Sequence, residues 1–259
     1  MPPKSVPTHF LCIPLVTATS RPQLAESLAA FRTDVTNPKS LGGFDLPEDA
    51  VRPVGTLHLT LGVMSFPKGE GLDKALDLLK SIRPREILST IKPPAMPGMP
   101  TQPAAPPTEG SEAPEANSPR TLSITLKGLN SMHQVEKTSI LYAPPVDNLG
   151  VLQGFGEKLQ ALFKDAGLMI EDNRPLLLHA TILNMIYVKG GRHKGAKGRG
   201  KWEKSVIDNA RGILDRYEDY VWMKDAPVEK IAICRMGAKP TVVDGLEDAA
   251  YEVEAEIDF

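Results

Sequence analysis

The chain has 259 residues, of which 41% are hydrophobic and 24% charged, enough to build one large domain or two modest lobes around a buried core. A formal charge of −2, taken globally, excludes a histone-like nucleic-acid binder. No run approaches 18 consecutive apolar residues and the first nine residues hold no apolar stretch, so neither a spanning helix nor a secretory signal is expected. The expectation is an intracellular protein, nuclear or cytoplasmic.

In chain order, residues 8–17 predict a strand. Residues 21–36 predict a helix that Ser20 can cap, with Pro22 near its start and Leu24, Leu28 and Phe31 on one stripe. Residues 56–64 predict a strand. Residues 70–83 predict a helix, with Leu72, Leu76 and Leu79 at helical spacing. Residues 120–127 alternate as a strand does. The order then recurs: strand 138–143, helix 149–166 stopped by Gly167, strand 176–187, helix 203–217, strand 228–235 and a last strand 251–258. Cys12 and Cys234 fall in apolar strand-like runs and read as reduced core thiols.

Two segments depart from this scheme. Residues 92–119 carry nine of the 24 prolines, with a net charge of −2, and read as a disordered, extended insertion. Residues 189–204 carry seven Lys or Arg against the single Glu203, a net charge of +6 with five glycines. The rest of the chain is therefore at −6, and the mild total hides a basic Gly-rich loop on an acidic body. The loop reads either as a phosphate contact or as a solvated or nuclear-localisation patch.

The tandem order predicts an α+β fold. Two units, about 8–127 and 138–235, form lobes, with 251–258 as the final strand. The third element of each unit carries the same signature: Leu57-His58-Leu59-Thr60-Leu61 and Leu178-His179-Ala180-Thr181-Ile182. Residues two apart in a strand share a face, so each strand offers one imidazole and one hydroxyl, backed by apolar anchors. Phosphoester transfer without metal needs this set. One imidazole takes a proton from the attacking oxygen, the other protonates the leaving oxygen, and the hydroxyls donate to the phosphate. A zinc site needs three protein ligands, and no His-x-x-x-His or Glu-x-x-His accompanies these positions. The candidates are His58 and His179 as the catalytic pair, Thr60 and Thr181 as phosphate binders, with no metal and no cofactor.

The paired HLTL and HATI strands resemble the two-histidine (2H) phosphoesterase superfamily, whose signature is a pair of His-x-Thr/Ser motifs. HFLCIPL, RPVGTLHLTLGVM, LLLHATILNMIY and YEVEAEIDF are most similar to one branch of it. That branch holds the A-kinase anchor protein nuclear-localisation-signal domain and the phosphoesterase domain of activating signal cointegrator 1 complex subunit 1. The resemblance covers about residues 7–259. It implies two pseudo-symmetric lobes with antiparallel sheets and an active cleft between them. It further implies a phosphodiesterase acting on RNA ends, oligonucleotides or cyclic nucleotides through 2′,3′-cyclic, 2′,5′ or 3′,5′ linkages. The alternative is a non-catalytic nucleotide- or RNA-binding subunit of a coactivator or repair-type complex. The cointegrator subunit has an RNA-binding domain ahead of this one, and none is expected here.

Other features weigh less. Gly195 to Lys201 nearly spells a P-loop, but Trp202 stands where a magnesium-binding Ser or Thr is needed. His9, His133 and His193 lack a hydroxyl at the motif offset, and His9 reads as structural. Tyr187, on the His179 face by parity, is a candidate for stacking on a base or for core packing. Arg192 and Lys194 are candidate substrate contacts. No membrane contact is expected, and the protein is expected to be a monomer.

Overall fold

A computed structural model describes residues 6–93, 121–188 and 206–259. The basic loop 189–204 and all but the first two residues of the proline-rich segment 92–119 lie outside the described residues. No described helix is long and apolar enough to cross a membrane.

The chain opens with β1 (His9–Pro14), followed by α1 (Arg21–Thr36), β2 (His58–Met64), α2 (Leu72–Ser81) and α3 (Pro84–Ser89). There follow β3 (Ser123–Lys127), β4 (Asn130–Ser131), β5 (Ile140–Ala143), β6 (Pro145–Asp147), α4 (Leu152–Asp165) and β7 (Ala180–Asn184). Last come α5 (Ala210–Arg216), β8 (Val221–Pro227), β9 (Lys230–Arg235), β10 (Lys239–Val243), β11 (Leu246–Ala250) and β12 (Val253–Asp258).

Local chemistry accounts for most boundaries. α1 buries Leu24, Leu28, Phe31 and Val35, one side of a 3.6-residue period, and ends where Asn37 precedes Pro38 and must extend. The same effect divides the expected helix 70–83, because Arg83 is extended before Pro84 and a short second helix restarts there. Ser20 stands at the N-cap position but does not cap. Its hydroxyl donates to the Leu15 carbonyl at 2.6 Å and accepts from the Thr17 N–H, so it tightens the turn ahead of the helix. Gly167, at φ +69, ends α4, with the Leu168 N–H returning to the Phe163 carbonyl.

The first sheet is antiparallel with order β12-β9-β1-β2. Two further antiparallel sheets, β6-β3-β8 and β4-β5-β7, have three strands each and adjoin along the chain. β3 runs on into β4 and β5 into β6, the pairs β3–β6 and β4–β5 continue one hairpin, and Gly128 and Pro144 stand at the break. The Gly128 N–H donates to the Tyr220 carbonyl at 2.7 Å, and a Cβ there would lie 2.7 Å from the Glu218 carbonyl, so only glycine fits. β2 and β7 are each the edge strand of their sheet. The architecture is α+β, as expected.

The sheets do not follow the division into 8–127 and 138–235. β3 pairs with β6 and β8, whereas β9 and β12 join β1 and β2. The cause is burial on both faces: Ile231, Ala232, Ile233 and Cys234 of β9 are all buried, which suits a central position between β1 and β12. β10 and β11 form a hairpin turned by Asp244 and Gly245, both at positive φ. Cys12 and Cys234 are buried free thiols with sulfurs 3.9 Å apart.

Candidate active site

Alternation along β2 places His58 and Thr60 on a half-buried face, while Leu59 and Leu61 are buried on the other. The second motif repeats this: His179 and Thr181 are half-buried, and Leu178, Ala180 and Ile182 are buried. His179 immediately precedes β7, which is shorter than the expected strand 176–187. Its last part, Met185–Tyr187, is a 3-10 turn.

α4 supports both motif strands from behind. A Cβ on Gly156 would meet the side chains of Leu176, Leu61 and Leu178 at 3.1 to 3.5 Å, so the helix lies close against the apolar side of each motif. Gln160 donates to the Leu61 carbonyl and Gln153 to the Leu176 carbonyl, at 2.8 and 2.9 Å. One helix thus fixes the position of two strands far apart in sequence.

The two imidazoles are held alike. His58 Nδ1–H donates to the Thr56 carbonyl at 2.7 Å, and His179 Nδ1–H to the Leu177 carbonyl at 2.8 Å. In each case the acceptor is two residues back, and in each the ring nitrogen left for chemistry is Nε2. The Thr60 hydroxyl donates to His58 Nε2 at 3.0 Å. His58 packs with Phe10 and Tyr251 in a three-ring cluster, its centroid 4.7 and 5.2 Å from theirs, which are 4.9 Å apart, and His179 and Tyr142 make an edge contact at 5.4 Å. Burial is the main cause of a His58 pKa lowered to about 4. The bond to Thr56 opposes the shift, and the nearby charges of His179 and Arg52 add to it.

Sequence reasoning missed three of these neighbours. Arg52 is only 6% exposed and its guanidinium carbon lies 3.8 Å from the centroid of the Tyr187 ring. Tyr251, whose hydroxyl is pushed up chiefly by burial, closes over His58 beside Arg52 and Tyr187. Phe10 packs against both His58 and Tyr251. The signal for Tyr251 and Phe10 was alternation on strands whose partners were unknown. Arg52 offered only its place six residues before a motif histidine. Tyr187 is 46% exposed, which favours surface stacking over core packing. The parity that placed it on the His179 face does not apply, because the strand stops at Asn184. Arg192 and Lys194 lie outside the described residues. Among the described residues no three His, Cys, Asp or Glu side chains gather as a metal cage. His9 is buried, bonded to Thr8 and facing Glu254, and His133 is exposed.

The family described as the AKAP7 2′5′ RNA ligase-like domain matches residues 7–259, nearly the whole chain. The chain belongs to this family. Membership of the AKAP7 2′5′ RNA ligase-like family places it in the two-histidine phosphoesterase superfamily, which its paired motifs resemble. Membership supports a function of the phosphodiesterase type. An uncharacterized protein of Schizosaccharomyces pombe is 25% identical over 230 residues, spanning 88% of this chain and 86% of that one. Among solved structures, Escherichia coli LigT complexed with 3′-AMP aligns over 97% of both chains at 16% identity and a TM-score of 0.45. TT0787 of Thermus thermophilus does so over 97% of both at 14% identity and a TM-score of 0.44.

Proposed function

We propose that this family member is a metal-independent phosphodiesterase of RNA ends or oligonucleotides, working by two-histidine acid–base catalysis. The observation that carries the reading is the matched presentation of His58 and His179. Both lock Nδ1 onto a carbonyl two residues back and leave Nε2 for proton transfer.

With a pKa of about 4, His58 is neutral across the neutral range and suits the role of base. Substrate phosphate draws the Thr60 hydroxyl away from His58 Nε2, which then accepts the proton of the attacking water or ribose hydroxyl. The new P–O bond forms as the old one breaks, and His179 Nε2–H protonates the departing oxygen. Thr60 and Thr181 donate to the non-bridging oxygens, where charge accumulates. Tyr187, exposed at the rim, offers its free face to a base.

The test is a panel of 2′,3′-cyclic, 2′,5′-linked and 3′,5′-linked substrates, run with and without chelator, with product ends identified. Turnover that survives chelator and is lost in His58→Ala and in His179→Ala supports the reading. Full activity in either variant overturns it, as does activity that requires added metal. Tight nucleotide binding without turnover of any substrate would instead make the cleft a binding module.

A further inference from the structure

Arg52 is a cation placed between the two motif strands. Its own N–H donates to the Ile182 carbonyl at 2.9 Å, and Val51 bridges Leu183, so this segment lies along the free edge of β7. Six residues later the same segment delivers His58. The guanidinium lies over the Tyr187 ring, its carbon 3.8 Å from the ring centroid. It is close enough to His58 and to the Tyr251 hydroxyl for its charge to bear on both.

At 6% exposure this charge has given up most of its hydration. A buried guanidinium is normally matched by a carboxylate, because its five N–H donors and its charge otherwise go uncompensated. Among the described residues no carboxylate lies within ion-pair distance of Arg52, and the hydroxyl it meets, that of Tyr251, is neutral. A second charged group contrasts with it: the Asp248 carboxylate, its side chain 6% exposed, is matched by Arg21 and by the Gly55 N–H. Contact with tyrosines fixes the orientation of the guanidinium but supplies no anion.

We propose that Arg52 is the anion-binding residue of the cleft, pairing through the edge of its guanidinium with a phosphate group of the substrate beside His58. The inference rests on the phosphodiesterase reading and deepens it. The two threonines supply neutral donors, and Arg52 supplies the positive charge that a phosphodiester or terminal phosphate requires. Bound phosphate also cancels the repulsion between Arg52 and a protonated His58, so substrate itself makes His58 a stronger base.

Inorganic phosphate is the probe, and binding is read separately from turnover. In the wild-type protein, phosphate should shift the Arg52 Nε–H and His58 imidazole resonances and raise the His58 titration midpoint. Arg52→Gln should bind phosphate at least tenfold more weakly, raise KM by a similar factor, and leave the His58 midpoint unmoved by phosphate. Arg52→Lys keeps the charge and should recover part of the affinity. If Arg52 serves only to pin Tyr187, then Gln and Lys variants will behave alike and phosphate affinity will match wild type, which overturns the proposal. Should neither variant fold, unshifted wild-type resonances at tens of millimolar phosphate overturn it equally. Normal turnover with an unchanged KM in Arg52→Gln removes this proposal and leaves the phosphodiesterase reading standing. Arg52-dependent phosphate binding with no diester hydrolysed does the reverse.

Discussion

The side-chain amide of Gln160 donates to the main-chain carbonyl of Leu61 at 2.8 Å, joining two residues 99 positions apart. Leu61 follows Thr60 on the strand that presents His58, so this bond sets the height of the first His-x-Thr motif over α4. Gln160→Leu, similar in size and without the donor, is expected to cost about 1 kcal/mol of stability. A displaced motif strand should lower kcat by up to about a hundredfold while KM stays within a few-fold. Thermal melts and steady-state kinetics on the same preparation check both parts.

Replacing either motif histidine should remove activity and leave the fold. His58→Ala and His179→Ala are each expected to slow turnover by about a hundred- to ten-thousandfold. His179→Ala should melt close to wild type, since that ring is only half-buried and meets Tyr142 edge-on. Circular dichroism alongside single-turnover kinetics tests this.

Acid should destabilise the protein through His58. Its pKa is lowered to about 4 in the folded state, against the ordinary value of about 6.5. Between those values the unfolded chain binds a proton that the folded one refuses, so stability rises with pH across this window. The contribution is complete above about 6.5 and is lost as pH falls through 4, and it amounts to at most about 3 kcal/mol. Urea denaturation from about pH 4 to 7 should show a shallower slope for His58→Gln than for wild type. Equal slopes would remove His58 as the cause.

The hairpin of β10 and β11 is expected to matter to a site it does not enter. Asp248 accepts from Gly55 at 2.9 Å and pairs with Arg21, and a Cβ on Gly55 would lie 2.5 Å from the Ala249 carbonyl. This clamps the turn whose last residue, Thr56, holds His58 Nδ1. Asp248→Ala leaves Arg21 and the Gly55 N–H unpaired and should cost about 2–4 kcal/mol. Gly55→Ala should push the hairpin off and reduce kcat. A melting temperature unchanged in both variants would show that the clamp contributes nothing.

The elements that were legible in the sequence are those whose cause is local. Pro22 and the Leu24–Leu28–Phe31 stripe place α1, Gly167 ends α4, and the two His-x-Thr repeats place the motifs on strand edges. The hairpin has a local signal in Asp244-Gly245 between branched residues. β8 went unread because Val221–Pro227 mixes Trp222 and Met223 with Lys224 and Asp225 and alternates poorly. Strand exchange between the sheets leaves no local mark, since pairing β9 with β1 depends on residues more than 200 positions apart. Arg52 was invisible for the same reason. Its meaning comes from Tyr187 and Ile182, which the fold alone brings to it.

That exchange makes the protein a laced object. The chain ahead of β3 supplies β1 and β2 but borrows β9 and β12 to complete its sheet. Two halves separated ahead of β3 would leave one fragment with half a sheet and a bare β1 edge. Expressed together they should reassemble, and expressed singly the first should aggregate. The sheet that carries His58 is complete only with strands from beyond His179, so a cut between the two motifs should disable both.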